Sequence, residues 1–201
     1  MSVDVLANGG AKPNEKPSVD SIEKFDRAIQ QRFLTEPGFG ITRIAPPNPH
    51  LNNFYPKEGD EKTSVENFEK DGWKTAVYLY GRRIEKQSNE KSGKAKFYIS
   101  NRTFNPMAIT KNVKAEKLTK PAYLLDEVDN AFQRFQSADT YEFDARKWAY
   151  VAKPVRARQS CLKCHTDYIM ISPIGEKPYK YRKRRVGDAI DVLIYGFEKG
   201  K

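Results

Sequence analysis

Cys161-Leu162-Lys163-Cys164-His165 holds both cysteines of the chain and one of its two histidines. Two thiols separated by two residues and followed at once by an imidazole form the attachment signature of c-type haem. The spacing lets both thiols reach the vinyl groups on one porphyrin edge, and the adjacent histidine then binds iron from the same side. With Cys161 and Cys164 spent as thioethers, His165 would be the proximal axial ligand. A thioredoxin-like redox pair shares the cysteine spacing, but it belongs at the start of a helix in a βαβ unit, and no such pattern precedes Cys161. A zinc site would have to recruit Cys161, Cys164, His165 and His50, with two adjacent ligands on one tetrahedral ion and a fourth far away in sequence.

The place of the motif bears on the fold. In small helical electron carriers it comes early, and a long downstream chain wraps the haem and supplies a methionine; here only Thr166 to Lys201 follow, and Met170 is too close to His165 to reach the opposite side of iron. Upstream lie both helical and extended patterns. Ile22, Phe25, Ile29 and Phe33 recur at helical spacing between Val19 and Leu34, with Ser18 as a cap. Pro37-Gly38 ends that helix, and Phe39 to Ile44 reads as a short strand. Four prolines between Ala45 and Pro56 then hold an extended loop that carries His50.

Glu58 to Lys70 reads as a charged short helix with Val65 and Phe68 on one side. Trp73 to Tyr80 and Lys96 to Ser100, rich in β-branched and aromatic residues, read as an antiparallel pair joined by a polar connection from Arg82 to Lys94. Asn101 to Thr110, with Met107 near its middle, reads as irregular. A further amphipathic helix starts at Pro121 and runs through Leu124, Val128, Phe132 and Phe135. Trp148 to Val155 is a strand leading into the motif, and Asp188 to Tyr195 is the last strand. Four or five strands contradict a four-helix cytochrome, so the expected class is α+β, an antiparallel sheet flanked by helices. Residues 1–17 read as a flexible arm and residues 18–201 as a single domain.

These features together resemble the single-haem, PAS-like periplasmic c-type domains of bacterial signalling proteins. The resemblance is carried by Ala152-Lys-Pro-Val-Arg156 leading into Cys161-Leu162-Lys163-Cys164-His165, by Val186-Gly187-Asp188 opening an apolar strand, and by Asn101-Arg-Thr-Phe-Asn-Pro106. It spans roughly Val65 to Tyr195. It implies a PAS-like antiparallel sheet with one covalent haem c held against it, in redox sensing or electron transfer. One departure is plain: the cysteine sixth ligand of some members is closed to a chain with no third cysteine.

The sixth position is then a matter of inventory. His50 is the other histidine and would give a low-spin bis-histidine centre; as a lone loop histidine it also has a plain surface reading. Met107 stands in a segment that resembles the family's haem-proximal loop, and a single methionine equally fills a core. Arg158, with Arg102 and Arg156, is suited to pair with haem propionates, although arginines of this kind are often simply solvated.

The chain has a formal net charge of +10 and is 38% hydrophobic and 31% charged. No apolar run reaches membrane-spanning length. The basic run from Lys177 to Arg185 adds to a long-range field that attracts an acidic redox partner protein or an anionic membrane surface; nucleic acid is not expected, because haem c attachment is extracytoplasmic. The same reasoning places the protein in the periplasm or an equivalent compartment, with a native signal or anchor removed before Met1, since the opening residues lack a secretion pattern. Two functions follow. One is a mono-haem c-type cytochrome that cycles Fe(III)/Fe(II) as carrier or sensor. The other is an open-site haem protein that binds NO or CO or performs peroxide or nitrogen-oxide chemistry, for which no distal acid or base is nominated.

Overall fold

Helix α1, Val19–Thr35, forms where apolar residues recur every three to four positions, and it buries Ile22, Phe25, Ile29 and Phe33. Ser18 caps it: its Oγ accepts from the Ser21 N–H at 3.3 Å. In the computed structural model the described residues are 14–35, 58–88, 95–103, 107–108, 123–173 and 175–200. The expected strand at Phe39 to Ile44, the proline-rich loop with His50, and Pro121 lie outside them.

The remaining elements are α2 (Asp60–Lys70), β1 (Trp73–Ser88), β2 (Ala95–Thr103), β3 (Met107–Ala108), α3 (Tyr123–Arg134), β4 (Tyr141–Ala145), β5 (Trp148–Arg156), a 3-10 turn at Cys161–Lys163, β6 (Tyr168–Met170), β7 (Tyr181–Lys183) and β8 (Ala189–Lys199). The main sheet runs β2-β1-β8-β5-β4, wholly antiparallel, with β3 pairing beside β1. β6 and β7 form a separate hairpin. The class is thus α+β, a curled antiparallel sheet with three helices among the described residues, and it is compatible with a PAS-like fold.

The sheet is buried on both faces because its central strands alternate between two cores. One face sends Val77 and Leu79 of β1, Val151 and Val155 of β5, and Leu193, Tyr195 and Phe197 of β8 against α1 and α2. The other sends Tyr78 and Tyr80, Tyr150 and Ala152, and Val192 and Ile194 against Leu124, Val128 and Ala131 of α3. On the α1 side, Phe25 meets Phe68 edge-on at 5.5 Å and Tyr195 at 5.6 Å. Such T-shaped contacts add about 0.5–1.5 kcal/mol each beyond area burial. Gly196 lies where any side chain would press on the Tyr150 ring, so its lack of a Cβ lets β5 and β8 lie side by side under that ring.

Several elements differ from the sequence expectation. β1 does not stop at Tyr80. It continues through the polar stretch to Ser88, because backbone pairing with β2, from Tyr80↔Thr103 to Ser88↔Ala95, is indifferent to side-chain polarity. Asn101 to Thr103, read as irregular, complete β2, and Met107 and Ala108 pair with Val77 and Ala76. β4 and the β6–β7 hairpin have no counterpart in the sequence expectation; β4 alternates Tyr141, Phe143 and Ala145 with Glu142 and Asp144 but is only five residues long, and β6 and β7 are three each. Asn14 and Lys16, at the end of the stretch read as an arm, are tied down. The Asn14 amide donates to Arg146 and Trp148 carbonyls, and Lys16 pairs with Glu142.

Candidate functional site

The motif sits at one end of the main sheet, where β5 finishes and β8 begins. β5 leaves the sheet after Arg156, and Ala157 is pinned to the start of β8 by its N–H donating to the Asp188 carbonyl at 2.8 Å. The chain then closes a tight turn. The Cys161 N–H donates to the Arg158 carbonyl at 2.9 Å, and the Cys161 carbonyl accepts from the Cys164 and His165 N–H groups at 3.2 and 2.9 Å. The turn therefore gathers the three motif residues around one carbonyl.

Cys161 is partly exposed and Cys164 exposed, and the two thiols are not joined in a disulfide. Both are chemically open to thioether formation. Cys161 and Leu162 pack against the α1-side core, as does Leu34 at the end of α1. Thus the motif and the C-terminal end of α1 border the same core. The segment 36–57, which carries His50, joins α1 to α2, and both of those helices belong to this face.

The other candidate residues are distributed differently. Arg158 supplies the carbonyl that caps the turn, and its side chain is exposed. Arg156 is already occupied: its guanidinium donates to Asp139 at 2.9 and 2.5 Å and to the carbonyls of Gly187, Phe135 and Ala138. The backbone of Met107 is level with Val77, on the side of β1 away from β8. It stands four residues along β1 from Gly81, roughly 13 Å at about 3.3 Å per residue, and Gly81 is the β1 partner of Asp191 near the motif end. The described strands therefore do not bring Met107 to the motif. His50 and the Arg102 side chain lie outside the described residues.

The site also contains residues that sequence reasoning missed. Asp167, two positions past His165, is buried and receives the Arg184 guanidinium, Nε to Oδ1 at 2.9 Å and Nη2 to Oδ2 at 2.7 Å. Its Oδ2 also accepts from the Ile84 N–H of β1 at 3.3 Å. The basic run is thus not uniformly a solvated surface. Lys177, Lys180, Lys183 and Arg185 face water, whereas Arg184 is buried on Asp167 and Arg182 forks onto both oxygens of Asp188 at 2.7 Å. Partial burial alone would raise the Asp188 pKa; the Arg182 fork and the Arg185 N–H outweigh it and hold the carboxyl below its ordinary value. Only partner geometry separates the inward arginines from the outward lysines, and that geometry is tertiary.

Among the described residues, no group of three or more His, Cys, Asp or Glu side chains is arranged to hold a metal ion. They do not assemble the tetrahedral set that a structural zinc needs. No described helix is long and apolar enough to cross a membrane. The donor set at the turn, two unpaired thiols and one adjacent imidazole, fits covalent haem c in number, spacing and accessibility. Compared with protein-family models, with curated proteins and with solved structures, the chain matches none.

Proposed function

We propose that this protein is a mono-haem c-type cytochrome of PAS-like architecture that works in electron transfer or redox sensing. The observation that carries the reading is the Cys161-Cys164-His165 turn, with two accessible, unpaired thiols held next to an imidazole at the end of an antiparallel sheet. Cys161 and Cys164 would hold the haem, and His165 would ligate its iron. Bound there, the group supplies a one-electron Fe(III)/Fe(II) couple. The chain's own part is to fix the ligand. The turn orients His165, and the Asp167–Arg184 pair anchors the next residues to β1 and β7.

The surroundings fit an electron-transfer role. The hairpin that follows the motif exposes Lys177, Lys180, Lys183 and Arg185, a surface that favours encounter with an acidic redox protein or an anionic membrane surface at low salt. Covalent haem attachment places the protein outside the cytoplasm. His50 is the sixth ligand in this reading, because the segment that carries it joins the two helices of the motif's face.

The decisive experiment is expression with a c-type maturation system, followed by haem staining of a denaturing gel and spectra of both oxidation states with and without CO. A covalent haem band and a low-spin reduced spectrum unchanged by CO are expected. Absence of covalent haem removes the reading altogether, and rapid CO binding replaces it with an open-site protein.

A further inference from the structure

On the α3 side of the sheet lies a cavity of about 300 Å³ that the motif does not use, since none of Cys161, Cys164 and His165 lines it. Its walls include Ile84 of β1, Phe132 and Gln133 of α3, Met170 of β6, and Arg182 of β7. The volume is at the lower end of the roughly 300–1,000 Å³ of small-molecule sites, so its occupant is small.

The polar groups on this wall are short of acceptors. Gln133 Nε2 is buried and has no hydrogen-bond partner. A buried amide donor in a native protein is almost always satisfied, by protein, water or ligand. Arg182 commits Nη1 and Nη2 to Asp188 and the Lys183 carbonyl, which leaves its Nε–H uncommitted. The carboxylate on the same wall, Asp188, accepts from both Arg182 Nη nitrogens and from the Arg185 N–H at 2.6 Å, and no hydrogen bond joins it to Gln133 Nε2 or Arg182 Nε. An occupant must therefore bring acceptors. The wall also carries Arg82, Arg156 and Arg184, which pair with Asp129, Asp139 and Asp167, while Ile84, Met170 and the Phe132 ring, 5.0 Å from the Arg82 guanidinium, supply its apolar surface.

We propose that this cavity binds a small monocarboxylate with an apolar tail, its oxygens accepting from Gln133 Nε2 and Arg182 Nε and its tail lying against Ile84, Phe132 and Met170. Open donors set beside the apolar Ile84, Phe132 and Met170 suit a carboxylate with a tail better than a phosphate, which gains nothing from apolar surface.

Isothermal titration of the full chain with benzoate, butyrate and inorganic phosphate tests this. Saturable one-to-one binding of benzoate or butyrate is expected, with Kd at or below about 1 mM, and phosphate weaker by about tenfold or more. Gln133→Leu removes the orphaned donor, so its melting temperature stays equal or rises while carboxylate affinity falls about tenfold. A purely structural glutamine would leave affinity unchanged. Met170→Trp, which fills the cavity from a half-buried position, gives the same loss by a second route. Failure of both carboxylates to bind, phosphate binding as tightly, or undiminished affinity in both variants overturns the proposal.

Discussion

Asp167 and Arg184 form a two-pronged ion pair with side chains only 3% and 2% exposed, and Asp167 follows His165 by two residues. The same carboxylate accepts from the Ile84 N–H, and the Arg184 N–H donates back to the Asp167 carbonyl at 3.1 Å. Arg184 also bonds to the Ala189 carbonyl at the head of β8. One buried pair thus joins the motif's exit to β1 and β8. Arg184→Met strands the Asp167 charge in the interior and should cost about 3–5 kcal/mol. The double variant Asp167→Leu with Arg184→Met removes both charges and should recover much of that loss. Urea denaturation of the three proteins checks this; a single variant as stable as the unmodified chain would mean that the pair does not anchor the segment.

The two thiols of the motif are expected to act separately on haem retention. Cys161→Ser and Cys164→Ser should each leave one thioether, giving a shifted reduced spectrum and a weaker haem-stained band. The double variant should show no band on a denaturing gel. Full staining of the double variant would place the attachment elsewhere.

His50→Ala tests the sixth position. The reduced iron should change from low to high spin and bind CO, with Cys161, Cys164 and the haem stain untouched. An unchanged spectrum assigns the sixth position to another group.

Asp26 carries a pH signature. Burial, above all, raises its pKa over the ordinary aspartate value, against the Tyr195 hydroxyl at 2.7 Å and the Gln30 amide, which lower it. A carboxyl that binds its proton more tightly when folded adds stability in full below its unfolded pKa, and that contribution is lost as pH rises through the folded value. The stability of the unmodified chain minus that of Asp26→Asn should therefore fall as pH climbs from about 4, by at most about 1.4 kcal/mol per pH unit, and then level off. Other groups cancel in the difference. Denaturant titrations across that range decide the matter, and a difference that grows with pH would contradict it.

Gly196 is predicted to resist any side chain. An added Cβ would stand 2.8 Å from Tyr150 Cε1 and 3.1 Å from Trp148 Cε3, and the Tyr150 ring is itself stacked on Phe143 at 4.9 Å. The ring has little room to retreat, so Gly196→Ala should cost about 1–3 kcal/mol, as overpacking does. A thermal melt within a degree of the unmodified protein would show that the aromatic row shifts freely.

Much of the fold was legible along the chain because its signals are local. The three helices among the described residues carry apolar residues at helical spacing, and α1 and α2 fall within a residue or two of their expected bounds. β5 and β8 declare themselves by continuous apolar runs, as strands covered on both faces do. The polar half of β1 was not legible, since Arg82 to Ser88 are held by backbone pairing with β2. Nor was the hairpin of β6 and β7, whose Tyr181 stacks on Phe97 at 4.1 Å, a contact between residues far apart in sequence.

The same division runs through the site. The chemistry on offer can be read from residue identity and short-range spacing, which are properties of the chain alone: two thiols and an imidazole at haem c spacing, and no third cysteine. Which arginines of the basic run turn inward, that Arg156 is spent on Asp139 and the turn beyond α3, and that Met107 pairs beside β1 follow from packing and sheet register. A buried charge must meet its counter-charge within a few ångströms. Sheet register and helix packing alone bring Asp167 to Arg184 and Asp188 to Arg182.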